Sequence, residues 1–154
     1  MRLVWILLFF GFIQPAQQQP LPDMNARVVD YVKSVLGEKV DRGECWDLAN
    51  QALTYAGARW QKPLLFGRLV LQDKEAVLPG DIVQFTGVTM EHKEGNTTTR
   101  WRMLKHTAIV YEVRSKTEFV LAEQNINQVK RVMLNEYSLD DIKSGKVQFY
   151  RPVK

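Results

Sequence analysis

Cysteine is almost absent: Cys45 is the only one in the chain. An internal disulfide and a Cys-rich zinc site are therefore excluded. Histidine is nearly as scarce. His92 and His106 are the only two, too few for most metal sites, so neither metal nor cofactor is expected. Charge of one sign is also scarce. The net charge is +4, and without residues 1–16, which hold Arg2 and no acid, it is +3. No Lys/Arg cluster interleaves with aromatics, so nucleic acid is not an expected partner. The apolar run Leu3–Ile13 spans eleven residues, too few to cross a membrane. There is no internal repeat and no long low-complexity tract.

What is present suits one globular domain. The chain has 154 residues, 45% hydrophobic and 25% charged, enough for a core that stands alone. Arg2 followed by the uncharged run Leu3–Ile13 has the form of a secretory signal over residues 1–16. Pro15-Ala16-Gln17 could host cleavage, with Gln14 a poor fit at the −3 position. The expected location is secreted or periplasmic, with no membrane span left after cleavage. An unpaired thiol in an oxidising compartment is a flag for reactivity. Residues 17–23 are Gln/Pro-rich and form a linker, and residues 24–154 form the domain, expected to be a monomer.

Within the domain, Val28, Val29, Tyr31, Val32, Val35 and Leu36 fall at helical spacing over Met24–Leu36, and Gly37 ends the helix. Leu48, Ala49, Ala52, Leu53 and Ala56 mark a second helix with one buried face, stopped at Gly57. Asp41, Gly43 and Asp47 suit its start. Trp60–Leu78 reads as loop, with a short strand at Arg68–Leu71. Pro79-Gly80 is a turn, and Asp81–Phe85 a short strand. Thr89–Thr99 is polar, with Gly95-Asn96 at a turn tip. Asn96-Thr97-Thr98 is a glycosylation sequon, relevant only in an exported eukaryotic chain. Strands follow at Lys105–Val113, Glu118–Gln124, Val129–Leu134 and Lys146–Tyr150, with a helical turn at Ser138–Ile142. Helices first and an antiparallel sheet after give an α+β fold.

The chemistry centres on Cys45. In the first turn of its helix, free backbone N–H groups and the positive dipole end favour thiolate over thiol. The alternative is a small buried hydrophobe. Closing the strands around Ser115-Lys116 pairs residues whose numbers sum to 231. His106 then lies opposite Asn125, and Ala108 opposite Glu123. Opposed residues share a face, as do residues two apart, so His106, Glu123 and Asn125 project together. A cysteine nucleophile needs a base, and the base needs a group that fixes its tautomer. Cys45, His106 and Glu123 or Asn125 fill those roles.

Gly43-Glu44-Cys45-Trp46, Leu78-Pro79-Gly80-Asp81-Ile82-Val83-Gln84-Phe85, His106-Thr107-Ala108-Ile109-Val110 and Ala122-Glu123-Gln124-Asn125 together resemble the CHAP family, the cysteine, histidine-dependent amidohydrolases/peptidases. The resemblance runs from Arg27 to Arg151. Glu123 follows His106 by 17 residues and Asn125 by 19, as in CHAP domains. Related NlpC-type peptidases share the Pro-Gly-Asp block but place a second His roughly a dozen residues on. The resemblance implies a papain-like fold. It makes Cys45 the nucleophile, His106 the base, Glu123 the orienting acid and Asn125 a fourth polar group. The implied activity is hydrolysis of amide bonds in bacterial peptidoglycan, as an amidase or a peptide-bridge endopeptidase. A glutathionylspermidine substrate, known in some members, fits poorly with export. A catalytically inactive wall-binding or structural module on the same fold is the alternative. Lys105 stands where the family usually has Gly, so a long side chain there would narrow the cleft or contact an acidic substrate. Asp47 departs from the Trp/Tyr-rich run usual after the nucleophile.

Overall fold

The computed structural model describes residues 20–60 and 66–154. The signal expected over 1–16, the linker up to residue 19 and the loop around Pro63 lie outside the described residues. Two helices come first, α1 (Asp23–Ser34) and α2 (Cys45–Ala56). Six strands follow: β1 (Arg68–Val70), β2 (Ile82–Glu94), β3 (Thr97–Val113), β4 (Glu118–Glu123), β5 (Met133–Ser138) and β6 (Ile142–Arg151). They form one antiparallel sheet in the order β1-β6-β2-β3-β4-β5. The expected α+β architecture is present.

Alternation along the strands separates two cores. Ile82, Ile109, Ala122 and Tyr150 face the helices and meet Val28, Val32, Leu48, Ala52 and Leu53. Val83, Phe85, Ala108, Val110, Leu121 and Phe149 fill the opposite face. α2 keeps its expected length. Gly57 ends it in the left-handed conformation (φ 72°), where glycine carries no steric penalty. α1 stops earlier than the apolar spacing suggests, at Ser34, with Val35 as its cap.

Three strand assignments change. The polar stretch Thr89–Thr99, given no strand above, is strand on both sides of its tip. β2 and β3 stay paired out to Glu94↔Thr97, with Gly95 (φ 57°) at the expected tip. Both faces of this arm meet solvent at its outer end, so no apolar alternation marks it as strand. β5 lies about four residues later than Val129–Leu134. Asn125, Asn127 and Gln128 adopt positive φ and fold a tight turn closed by Asn125 N–H to Val129 O (2.8 Å). β6 begins earlier than expected, at Ile142, after a single 3₁₀ turn at Leu139–Asp141.

The Leu78-Pro79-Gly80-Asp81 block is structural. Gly80 sits at φ 85°, and a Cβ there would lie 2.4 Å from the Asn25 carbonyl oxygen. Buried Asp81 accepts from Asn25 Nδ2 (2.8 Å), Arg151 Nη2 (2.8 Å) and Leu78 N–H (2.9 Å), fastening α1 to the far end of β6. Among the described residues no helix is long and apolar enough to cross a membrane.

Candidate active site

Cys45 is the first residue of α2. The chain enters that helix through a fixed turn. Buried Asp47 accepts from the N–H groups of Glu44 (3.1 Å) and Arg42 (3.2 Å) and from the Arg42 guanidinium (2.6 Å). A carboxylate at this third helical position satisfies amides the helix leaves free. Asp47 thus has a capping role where the resemblance showed only a departure.

β3 brings His106 to Cys45, and β4 brings Glu123 to His106. The pairs Ile109↔Ala122 and Val110↔Leu121 follow the expected register, and a bulge near Tyr111 shifts it closer to the turn. Glu123 is fully buried and His106 is 5% exposed. Their side chains meet at Nε2···Oε2, 2.6 Å. That contact occupies Nε2 and leaves Nδ1 for the hydrogen bond with Cys45.

Asn125 does not share this contact. Parity placed it opposite His106, but the ladder ends at Glu123 and Asn125 turns to φ 64°. Its Nδ2 donates to Glu44 Oε2 (2.6 Å), beside the start of α2. Asparagine tolerates that left-handed conformation better than most residues, so the strand can end there. Asn125 still lines the same cleft as His106.

Two supporting residues lie outside the sequence motifs, and two motif glutamines have positions the motifs did not assign. β5 supplies Asn135 and Tyr137, which donate to Glu123 Oε1 at 2.8 and 2.9 Å. With β5 assigned to the wrong residues, no pattern pointed at them. Buried Gln124 holds the segment before the nucleophile: its amide donates to Glu44 O (2.8 Å) and Val40 O (3.1 Å) and accepts from Val40 N–H (3.2 Å). Gln84 donates to the His106 carbonyl (2.8 Å) and accepts from the Thr107 hydroxyl (2.9 Å).

Protonation follows from these contacts. Burial disfavours a charged His106, yet the hydrogen bonds and charges of Cys45 and Glu123 outweigh it and raise its pKa to about 9. Burial likewise disfavours a thiolate. The His106 hydrogen bond and charge, with the Thr107 and Trp46 backbone N–H groups, overcome that and lower the Cys45 pKa. The site therefore favours a thiolate–imidazolium pair. Tyr137, pushed up by burial and the Glu123 charge, stays a neutral donor. Among the described residues no group of three His, Cys, Asp or Glu could hold a metal.

His106 opens onto a cleft of about 720 Å³. Trp101–Lys105 of β3 form one wall, and Asn125–Asn127 with Asn135–Tyr137 form the other. Cys45, His106 and Glu123 together have the parts for nucleophilic attack on a carbonyl.

Residues 23–154 match the family model described as "AIM3/BBC1 Cysteine proteinase-fold domain". Among curated proteins, the chain is similar to "Altered inheritance of mitochondria protein 3" of Debaryomyces hansenii. The two are 29% identical over 147 residues, which cover 82% of this chain and 15% of that protein. Among solved structures, it is similar to "The crystal structure of Ly7917" (TM-score 0.50, 18% identity, 83% of this chain and 62% of that one). A second structure, "Ly7917 with the hydrolyzing product of MDP", superposes at TM-score 0.51 with the same identity and coverage. At 18% identity these two likenesses show the fold alone.

Proposed function

The chain belongs to the AIM3/BBC1 cysteine proteinase-fold family, and from that premise we propose that it is a cysteine hydrolase of amide bonds, with cell-wall peptide as substrate. The observation that carries this reading is the convergence of half-buried Cys45, at the head of α2, on buried His106, whose Nε2 meets fully buried Glu123 Oε2 at 2.6 Å. In the proposed reaction the Cys45 thiolate attacks the scissile carbonyl carbon. The oxyanion forms beside the Cys45 backbone N–H. Imidazolium His106 gives its proton to the leaving amine, and a thioester remains. His106 then takes a proton from water, the hydroxide attacks the thioester, and a carboxylic acid leaves as the thiolate is restored. Glu123 holds the ring with its proton on Nε2 and stabilises the imidazolium.

The peptidoglycan part of the reading is supported by the CHAP-like motifs and by the hydrolysis product named for Ly7917. Export is part of it, because that substrate lies outside the membrane. The yeast relative's name speaks of mitochondrial inheritance and favours a second reading, a module on this fold with no turnover. Incubating the chain with purified peptidoglycan separates the two. New amines or N-termini are expected, and Cys45→Ala should remove more than about 99% of them, since base-assisted chemistry alone contributes roughly 10²–10⁴-fold. A Cys45→Ala variant that keeps a larger share would remove Cys45 from the mechanism. A wild-type chain that releases nothing leaves the module.

A further inference from the structure

From Thr97 to Ala108, β3 pairs with β2 alone, so its other edge borders the cleft. Two cations, Arg102 and Lys105, stand on this stretch and line the cleft. Both are exposed, and among the described residues neither has an ion pair or hydrogen bond. Their neighbours differ. Arg100 on the same arm is held by Glu91 (Nε to Oε2, 3.1 Å), and Arg114 by Glu136 (2.6 Å). That second pair neutralises Glu136, the one acid along the cleft wall among the described residues. The facing wall offers Asn125, Asn127 and Asn135, neutral amides that leave the positive field uncompensated.

Three residues along a strand span about 10 Å. Arg102 and Lys105 line the same cleft as the catalytic candidate His106, so a substrate reaching His106 through this cleft passes both cations. We infer that Arg102 and Lys105 form a carboxylate-reading subsite, which selects peptide substrates carrying an acidic group within about three residues of the scissile bond. Two free cations on one wall of a groove raise the local concentration of an anionic ligand and orient it along the strand.

The subsite rests on the reactive-cysteine reading above, but its test does not require turnover. Cys45 is alkylated with iodoacetate, an anion, and with iodoacetamide, its neutral counterpart. The full wild-type chain is compared with the Arg102→Gln/Lys105→Gln double variant. The His106 charge is common to both proteins, so a change in the iodoacetate-to-iodoacetamide rate ratio isolates the two cations. A charge roughly 7 Å away is worth about two- to threefold in water, so the ratio should fall about fivefold in low salt. The difference should shrink in about 0.5 M salt. A ratio within about 1.5-fold of wild type overturns the subsite, whether or not the chain hydrolyses anything. Muramyl dipeptide and its carboxamide form supply the second arm. A preference for the free acid of about fivefold or more, lost in the double variant, supports the subsite, and equal cleavage of both overturns it. If neither is cleaved while the alkylation ratio behaves as expected, the hydrolase reading falls and the subsite stands.

Discussion

Replacing Glu123 with Gln changes one atom of a buried group and removes its charge. The Oε1 position already accepts from Asn135 Nδ2 and the Tyr137 hydroxyl, so the new amide keeps its carbonyl oxygen there. Its NH₂ then takes the place of Oε2 and faces His106 Nε2, which must offer a lone pair. The ring is left neutral with its proton on Nδ1, towards Cys45, where it cannot accept the thiol proton. With a pKa of about 9, wild-type His106 is about 90% protonated at pH 8. At the ordinary value of 6.5 only about 3% would be charged, and burial pushes the variant lower still. Cys45 loses the imidazolium that lowers its own pKa, so its alkylation midpoint should climb towards the ~8.5 of a free thiol. Turnover should fall about 10²–10⁴-fold. Iodoacetamide rates measured from about pH 5 to 10, with His106 followed by NMR, read both changes without a substrate. An alkylation midpoint within about 0.3 unit of wild type, in a variant of unchanged circular dichroism, would refute Glu123 as the group that sustains the ion pair.

Asn125→Ala should cost no more than about tenfold in kcat/KM, because it removes a contact to Glu44 and none to the imidazole; a greater loss than in Glu123→Gln would make the amide the orienting group. Activity should open below the usual thiol range as Cys45 ionises and close as His106 loses its proton near pH 9, so a pH–rate profile still rising at pH 10 would contradict the pair. The raised His106 pKa contributes stability that is full below about pH 6.5 and lost as pH rises through about 9, while the lowered Cys45 pKa contributes stability that grows as pH rises towards the ordinary thiol range. The folded ion pair and the unfolded thiol with neutral imidazole each hold one proton, so wild-type urea midpoints should stay nearly level between about pH 6.5 and 8.5, and a steep fall there would contradict the pair. Gly80→Ala should destabilise by about 1–3 kcal/mol in urea unfolding, since the added Cβ meets the α1 backbone at a positive φ.

The core of the site was legible from residue type and parity. The apolar stripe and Gly57 located α2 and put Cys45 at its head. Alternation on the β3–β4 hairpin placed His106 with Glu123. Legibility failed where a side chain's role depends on a partner remote in sequence or on a turn. Asn125 looked like a third member of the face because parity assumes a continuing strand. The polar tetrad Asn125–Gln128 was the signal of a break, as polar residues tolerant of positive φ gather in turns. Asn135 and Tyr137 act from an edge strand whose start moves with that turn. The arm beyond Thr89 stayed hidden because strands wet on both faces carry no apolar period.

Glu123, Gln124 and Asn125 are consecutive, yet they hold three different parts: the imidazole, the segment from Val40 to Glu44, and the Glu44 side chain. The last two ties close chain separations of 80 to 84 residues. During synthesis Cys45 therefore emerges long before anything that activates it. At about 5–20 residues per second the wait is about 4–16 s. On the proposed reading, activation of Cys45 waits until the end of β4 docks and brings Glu123 to His106. On the same reading, the onset of Cys45 reactivity would report completion of the fold.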